Sequence, residues 1–117
     1  MKAIACSHVA DQGATSMTGH TSTKGVSFAD RVKSLQNYGV VLGENIAYGF
    51  QTPKEALLDL AIDDGVPGRG HRGNIFKEDY QAIGTCEGPH KGYATMAVLI
   101  YQGKVGSGAI YDEKMAL

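Results

Sequence analysis

The run Ala94–Tyr101, ATMAVLIY, constrains the fold more than any other part of this 117-residue chain. Ala94, Met96, Val98 and Ile100 alternate with Thr95, Ala97, Leu99 and Tyr101, so a strand here is largely apolar on both faces. Such a strand sits centrally in a sheet and is covered from both sides. The run is too short to span a bilayer. A shorter apolar run, Gln81–Cys86, precedes it across Glu87–Gly92, read as a wide turn.

The covering layers are sought upstream. Ile4, His8 and Asp11 recur at helical spacing, with Gly13 as a stop. Residues 12–27, rich in Gly, Ser and Thr, read as loop. Ser27 then caps a helix whose stripe is Phe28, Val32 and Leu35, with Gly39 as its left-handed stop. Val40–Phe50 reads as an extended or turn segment. Thr52-Pro53-Lys54-Glu55 is a capping box with proline at the first helical position. It opens a helix that buries Ala56, Leu57, Leu60 and Ala61 and ends at Asp63-Asp64-Gly65 ahead of Pro67. Residues 65–80 read as loop. Helices precede strands, and one strand is buried on both faces. The expected class is α+β, a helix layer on each side of a sheet.

The length suits one domain, expected over residues 1–105, with 106–117 as a Gly-rich and then charged tail. Eleven Lys and Arg against twelve Asp and Glu give a net charge of −1. No basic excess exists to hold a polyphosphate, which argues against nucleic acid as a partner. Cys6 and Cys86 are the only cysteines. They either pair, closing a loop of about 80 residues and contributing roughly 4–5 kcal/mol on the chain-entropy model, or remain separate buried thiols. The first residues lack the apolar stretch of a secretory signal, so the chain is expected to be a mature or trimmed form, or one not exported by that route.

No intact catalytic string is present: no HExxH, P-loop, GxSxG or GxGxxG. Chemistry-bearing residues instead stand in glycine-rich segments: His20 in TGHT, Glu44 in GENIAYG, His71 and Arg72 in GHRGNIF. A carboxylate in an apolar run is costly to bury unless paired, and His20, His71 and Arg72 are its expected partners. Arg72 is the preferred one for holding Glu44 charged. Two imidazoles and a carboxylate suit Zn²⁺ with one position open to water; the same groups also suit a hydrogen-bonded structural network. Elsewhere the readings are plainer. His8 is a helix-face residue and His90 an exposed turn residue. Tyr48, Tyr80 and Tyr93 pack with a polar tip. Arg31 and Arg69 pair at the surface with Asp30 or Asp64.

The segments GENIAYG and GHRGNIF, in the order Gly-His, Gly-Glu-Asn, helix, Gly-His-Arg, resemble the signature of the CAP superfamily, which takes in cysteine-rich secretory proteins, antigen 5 and plant pathogenesis-related 1 proteins. The likeness runs over about residues 3–101, and SFADR and DDGVPGRGHR are similar to the bacterial and protist branches. The resemblance implies a three-layer α-β-α sandwich with a mostly antiparallel central sheet and a cleft holding two His and two acids around a divalent cation. On this pattern the set is His20, Glu44, His71 and Asp64, with Asp63 as second choice for the last. The family often places Glu there, and no Glu lies between Glu55 and His71. The first helix lacks its N-terminal half, Trp is absent, and two cysteines cannot form the several disulfides of the animal and plant members.

The resemblance further implies a secreted, monomeric or weakly dimeric binding module, with a sterol, fatty acid or protein as partner. The alternative is a hydrolase in which His20 or His71, with Glu44, activates water or the hydroxyl of Ser22 or Ser27. The third reading makes Glu44 and His71 polar anchors of the fold with no ligand. The absence of an oriented nucleophile favours binding over catalysis.

Overall fold

A computed structural model of the chain describes residues 1–36, 40–63, 68, 70–75, 77 and 80–104. Over these residues it is a compact α+β domain: four α-helices and a three-stranded antiparallel sheet. The helices are α1 (Lys2–Gly13), α2 (Phe28–Arg31), α3 (Pro53–Ile62) and α4 (Gly70–Ile75). The strands are β1 (Val40–Tyr48), β2 (Tyr80–His90) and β3 (Ala94–Lys104). Among the described residues no helix is long and apolar enough to cross a membrane. Gly39, Asp64, Arg69 and the tail 106–117, each given a role above, lie outside the described residues.

The doubly apolar run is the middle strand, in the order β1-β3-β2. Its alternating residues enter two hydrophobic clusters. Met96, Val98 and Ile100 pack with Ala5 and Val9 of α1, with Phe28 and Val32, and with Val40, Leu42 and Ile46 of β1. Ala97, Leu99 and Tyr101 pack with Phe50 and with Ala56 and Leu60 of α3. The two-residue period of a strand thus serves both faces at once.

Cys6 and Cys86 form a disulfide that fastens α1 to β2. Gly84, Cys86 and Gly88 fall on one face of β2, and the two glycines leave room for the helix. A Cβ on Gly84 would come within 2.7 Å of the Lys2 backbone nitrogen, and one on Gly88 within 2.7 Å of Val9 Cγ1. The cap at Thr52 forms as read, its Oγ1 accepting from the Glu55 N–H at 3.2 Å with Pro53 opening α3, while the Glu55 carboxylate reaches one residue further back, to the Gln51 N–H at 3.3 Å. The helix stops at Asp63, whose φ of 52° and ψ of 37° are left-handed.

Five expectations are corrected or sharpened. The helix from Phe28 is one turn long. At Val32 the backbone leaves the helical region (φ −100°, ψ 12°), and only a 3₁₀ turn, Lys33–Leu35, follows. Arg31 is drawn inward there, as described below. Val40–Tyr48 is a paired strand in register with β3 from Val40↔Lys104 to Tyr48↔Met96. The stretch read as a loop contains α4; Gly70 and Gly73 lower its helix propensity, and tertiary hydrogen bonds hold it instead. The wide turn at 87–92 is mostly strand. β2 continues to His90, and only Lys91–Tyr93 turn before Ala94 (φ 72°). Pro89 is tolerated because β2 is an edge strand of the described sheet, where a missing N–H breaks no ladder bond. Leu57, expected in the core, is half exposed. It borders an apolar groove of about 570 Å³ between α3 and the sheet, with Pro53, Ala56, Ile83, Ala97 and Leu99.

The space around two glycines predicts different effects of an added carbon. Gly84→Ala lowers stability by about 1–3 kcal/mol through overpacking. Gly73→Ala, in α4 with nothing within 4 Å of the added carbon, is neutral or gains up to about 1 kcal/mol. Urea midpoints of the two variants check both.

Candidate functional site

Glu44 and Asn45 are neighbours on β1, so their side chains leave opposite faces of the strand. Both are wholly buried. Glu44 shares its face with Leu42 and Ile46, within the cluster that α1 covers. A lone carboxylate there would be heavily penalised. It is met by two groups: Arg31 Nη2 lies 2.6 Å from Glu44 Oε1, and His20 Nδ1 lies 2.6 Å from the same oxygen. The other oxygen, Oε2, is buried and has no hydrogen-bond partner among the described residues.

The counter-charge is therefore Arg31, not Arg72. Arg31, expected at the surface, is drawn inside. Its side chain is 9% exposed, and it also donates from Nε and Nη2 to the His20 carbonyl at 3.0 and 2.8 Å. The signal available in sequence was the cap at Ser27, which starts a helical turn and aims a residue four positions on. Arg72 contributes its backbone N–H to Asp63 Oδ2 at 3.2 Å.

On the other face, Asn45 Nδ2 donates to the His71 carbonyl at 2.9 Å and to Tyr101 Oη at 3.1 Å. Its Oδ1 accepts from Asn74 Nδ2 at 2.9 Å, and Asn74 Nδ2 also reaches the Glu44 carbonyl at 3.2 Å. Burial pushes the Tyr101 hydroxyl up to about 12. Together these bonds seat α4 against β1 and account for Asn45 and Asn74, to which sequence reading gave no role.

His71 is the second residue of α4. Its Nδ1 is 3.0 Å from Asp63 Oδ1, while Asp63 Oδ2 accepts the His71 N–H at 2.9 Å. Asp63 is 3% exposed. One left-handed aspartate thus ends α3, caps α4 and holds the imidazole. Asp63, the second choice for the fourth acid, is the carboxylate bonded to His71; Asp64 is outside the described residues.

His20 and His71 line one cavity of about 340 Å³ with Thr18, Gly19, Ile46, Tyr48 and Tyr93. Each imidazole spends Nδ1 on a buried carboxylate, so Nε2 is the ring atom left for a ligand. The side chains are 24% and 21% exposed. Glu44 lies beneath His20 and does not line the cavity. Among the described residues no group of three or more His, Cys, Asp or Glu is placed to hold a metal ion. Neither serine of the hydrolase reading lines it either. Ser22 Oγ accepts from the Val26 and Lys24 N–H groups, and Ser27 Oγ caps α2.

Two further histidines are buried, and one of them departs from its plain reading. His90, expected in solvent, is 2% exposed. Its Nδ1 accepts from the Gly92 and Tyr93 N–H groups, which fixes the tautomer, and Nε2 donates to the Met17 carbonyl at 2.8 Å. His8 is 1% exposed and bonds the Gly19 carbonyl through Nε2 at 2.9 Å. Burial, and then the Arg31 charge, push its pKa below the ordinary 6.5. Tyr48 keeps the predicted polar tip, and burial raises its pKa.

Comparison with family models, with curated proteins and with solved structures returns no match for this chain.

The buried pair predicts a charge-dependent double-variant result. Arg31→Met lowers stability by about 3–5 kcal/mol by leaving Glu44 uncompensated, and adding Glu44→Leu restores much of the loss. His8 predicts a pH dependence. The folded protein binds this proton less readily than the unfolded chain, so the His8 contribution is complete above about 6.5 and declines as pH falls below it. Urea denaturation at pH 7.5 and 5.5 should show a smaller loss in His8→Gln than in the parent.

Proposed function

We propose that the chain is a CAP-like domain, a three-layer α-β-α sandwich in which α1 with α2, and α3 with α4, cover the two faces of the sheet. We further propose that it is a secreted binding module whose cavity holds a divalent cation such as Zn²⁺ on His20 and His71. One observation carries the second proposal. Two imidazoles from distant segments open onto one cavity, and each is backed by a buried carboxylate. A carboxylate behind a histidine fixes the tautomer and raises the basicity of the outer nitrogen, the common arrangement behind metal-bound histidines. In this reading Glu44 and Asp63 orient the rings, and the two Nε2 atoms are the protein ligands.

Two imidazole nitrogens are fewer than the three protein ligands of a resident catalytic zinc and the four of a structural one. The proposed cation is accordingly exchangeable, with its remaining positions filled by water or by a donor atom of a bound partner. It would supply a Lewis-acidic anchor for such a donor. The chain's own contribution is to hold two bare ring nitrogens beside Ile46 and Tyr93, on a wall that is otherwise largely apolar. With Ser22 and Ser27 engaged elsewhere, the arrangement supports binding better than acyl transfer.

Calorimetric titration with Zn²⁺ tests the reading. One-site binding is expected in the parent and is abolished in the His20→Ala/His71→Ala double variant. Glu44→Gln and Asp63→Asn should each weaken it by about 10–100-fold. Undiminished heat in the double variant overturns the proposal.

A further inference from the structure

We infer that Gln12 is a positioning residue for His20, setting the imidazole by gripping the backbone on both sides of it. The inference deepens the cation-site reading and, for its affinity readout only, rests on it. Gln12 lies on α1, is wholly buried, and uses its whole amide. Nε2 donates to the Gly19 carbonyl at 2.9 Å and to the Thr21 carbonyl at 3.2 Å. Oε1 accepts from Tyr48 Oη at 2.7 Å, and Tyr48 Oη in turn accepts the Gly19 N–H at 2.9 Å. These bonds fix the amide's orientation, because only the NH₂ group can face two carbonyls.

The segment that carries His20 contains no helix or strand. Gly19 has φ of +106°, a conformation glycine adopts freely and other residues do not. Such a segment has no ladder to fix it, and side chains hold several of its carbonyls. Met17 is held by His90, Gly19 by His8 and Gln12, His20 by Arg31, and Thr21 by Gln12. Of these side chains, Gln12 is the one that takes a carbonyl on each side of His20. Its acceptor also closes a ring through Tyr48 back to Gly19.

Glu44 is fixed by β1, and Arg31 bonds both Glu44 and the His20 carbonyl. The 2.6 Å bond between His20 Nδ1 and Glu44 therefore requires the loop to sit at the right height over the strand. Gln12 sets that height at the residues on either side of His20, while Arg31 grips the His20 carbonyl between them. A buried amide here would otherwise be an expensive choice for a helix face packed on an apolar core.

The test is ¹⁵N NMR of the histidine rings at one fixed pH, with His20 assigned by comparison with His20→Gln. The parent should show His20 as a single tautomer, protonated at Nδ1. Gln12→Met, close in volume but without the donors, should average the His20 tautomers, leave the His71 ring signals in place, and weaken Zn²⁺ binding about 10–100-fold. His20 ring signals identical to the parent's in Gln12→Met overturn the inference. If the parent binds no Zn²⁺, the cation reading fails and the tautomer readout alone decides this one. If Gln12→Met does not fold, Tyr48→Phe, which removes only the hydroxyl linking Gln12 to the Gly19 N–H, carries the same NMR comparison.

Discussion

A buried carboxylate on β1 organises this molecule. Glu44 is wholly enclosed and belongs to a strand that contributes Leu42 and Ile46 to the same apolar cluster. Such a charge persists only with a counter-charge and hydrogen bonds in place. Arg31 and His20 supply them, and each comes from a segment with little regular structure of its own. The need to neutralise one side chain thus dictates where residues 17–31 lie. It coincides with the early end of α2 at Arg31, whose guanidinium also holds the His20 carbonyl.

The next residue does the corresponding work on the opposite face. Asn45 bonds the His71 carbonyl, Asn74 and Tyr101, which seats a short helix of poor intrinsic propensity. Consecutive residues of one strand therefore recruit two polar segments from its two sides. β1 is an edge strand of the described sheet, so the recruited histidines both reach a cavity beside it rather than being separated by the sheet.

Much of this was legible in the residues. The doubly apolar run at Ala94–Tyr101 required a central strand, and Thr52-Pro53-Glu55 required a helix start, because both signals are local and follow from backbone geometry and capping. His20, Glu44 and His71 stood out as chemistry-bearing residues among glycines. Illegible were the assignments that depend on which atoms meet. Arg72 is adjacent in sequence to His71, yet Arg31 neutralises Glu44. His90 beside Pro89 had every mark of an exposed turn, yet the continuation of β2 carries it under Met17. Leu57 fits the helical stripe but lies where the sheet does not reach.

The sequence by itself determined the periodic elements, the demand for cover on both faces of β3, and the polar residues that would need partners. Tertiary structure decided the partners: Arg31 for Glu44, Asp63 for His71, Gln12 and Tyr48 for the loop around His20, and Cys6 for Cys86. The reason is physical. Helix and strand signals arise from neighbours within a few positions, whereas a buried charge or amide is satisfied by whichever donor the packed chain brings within about 3 Å, and sequence separation does not encode that distance.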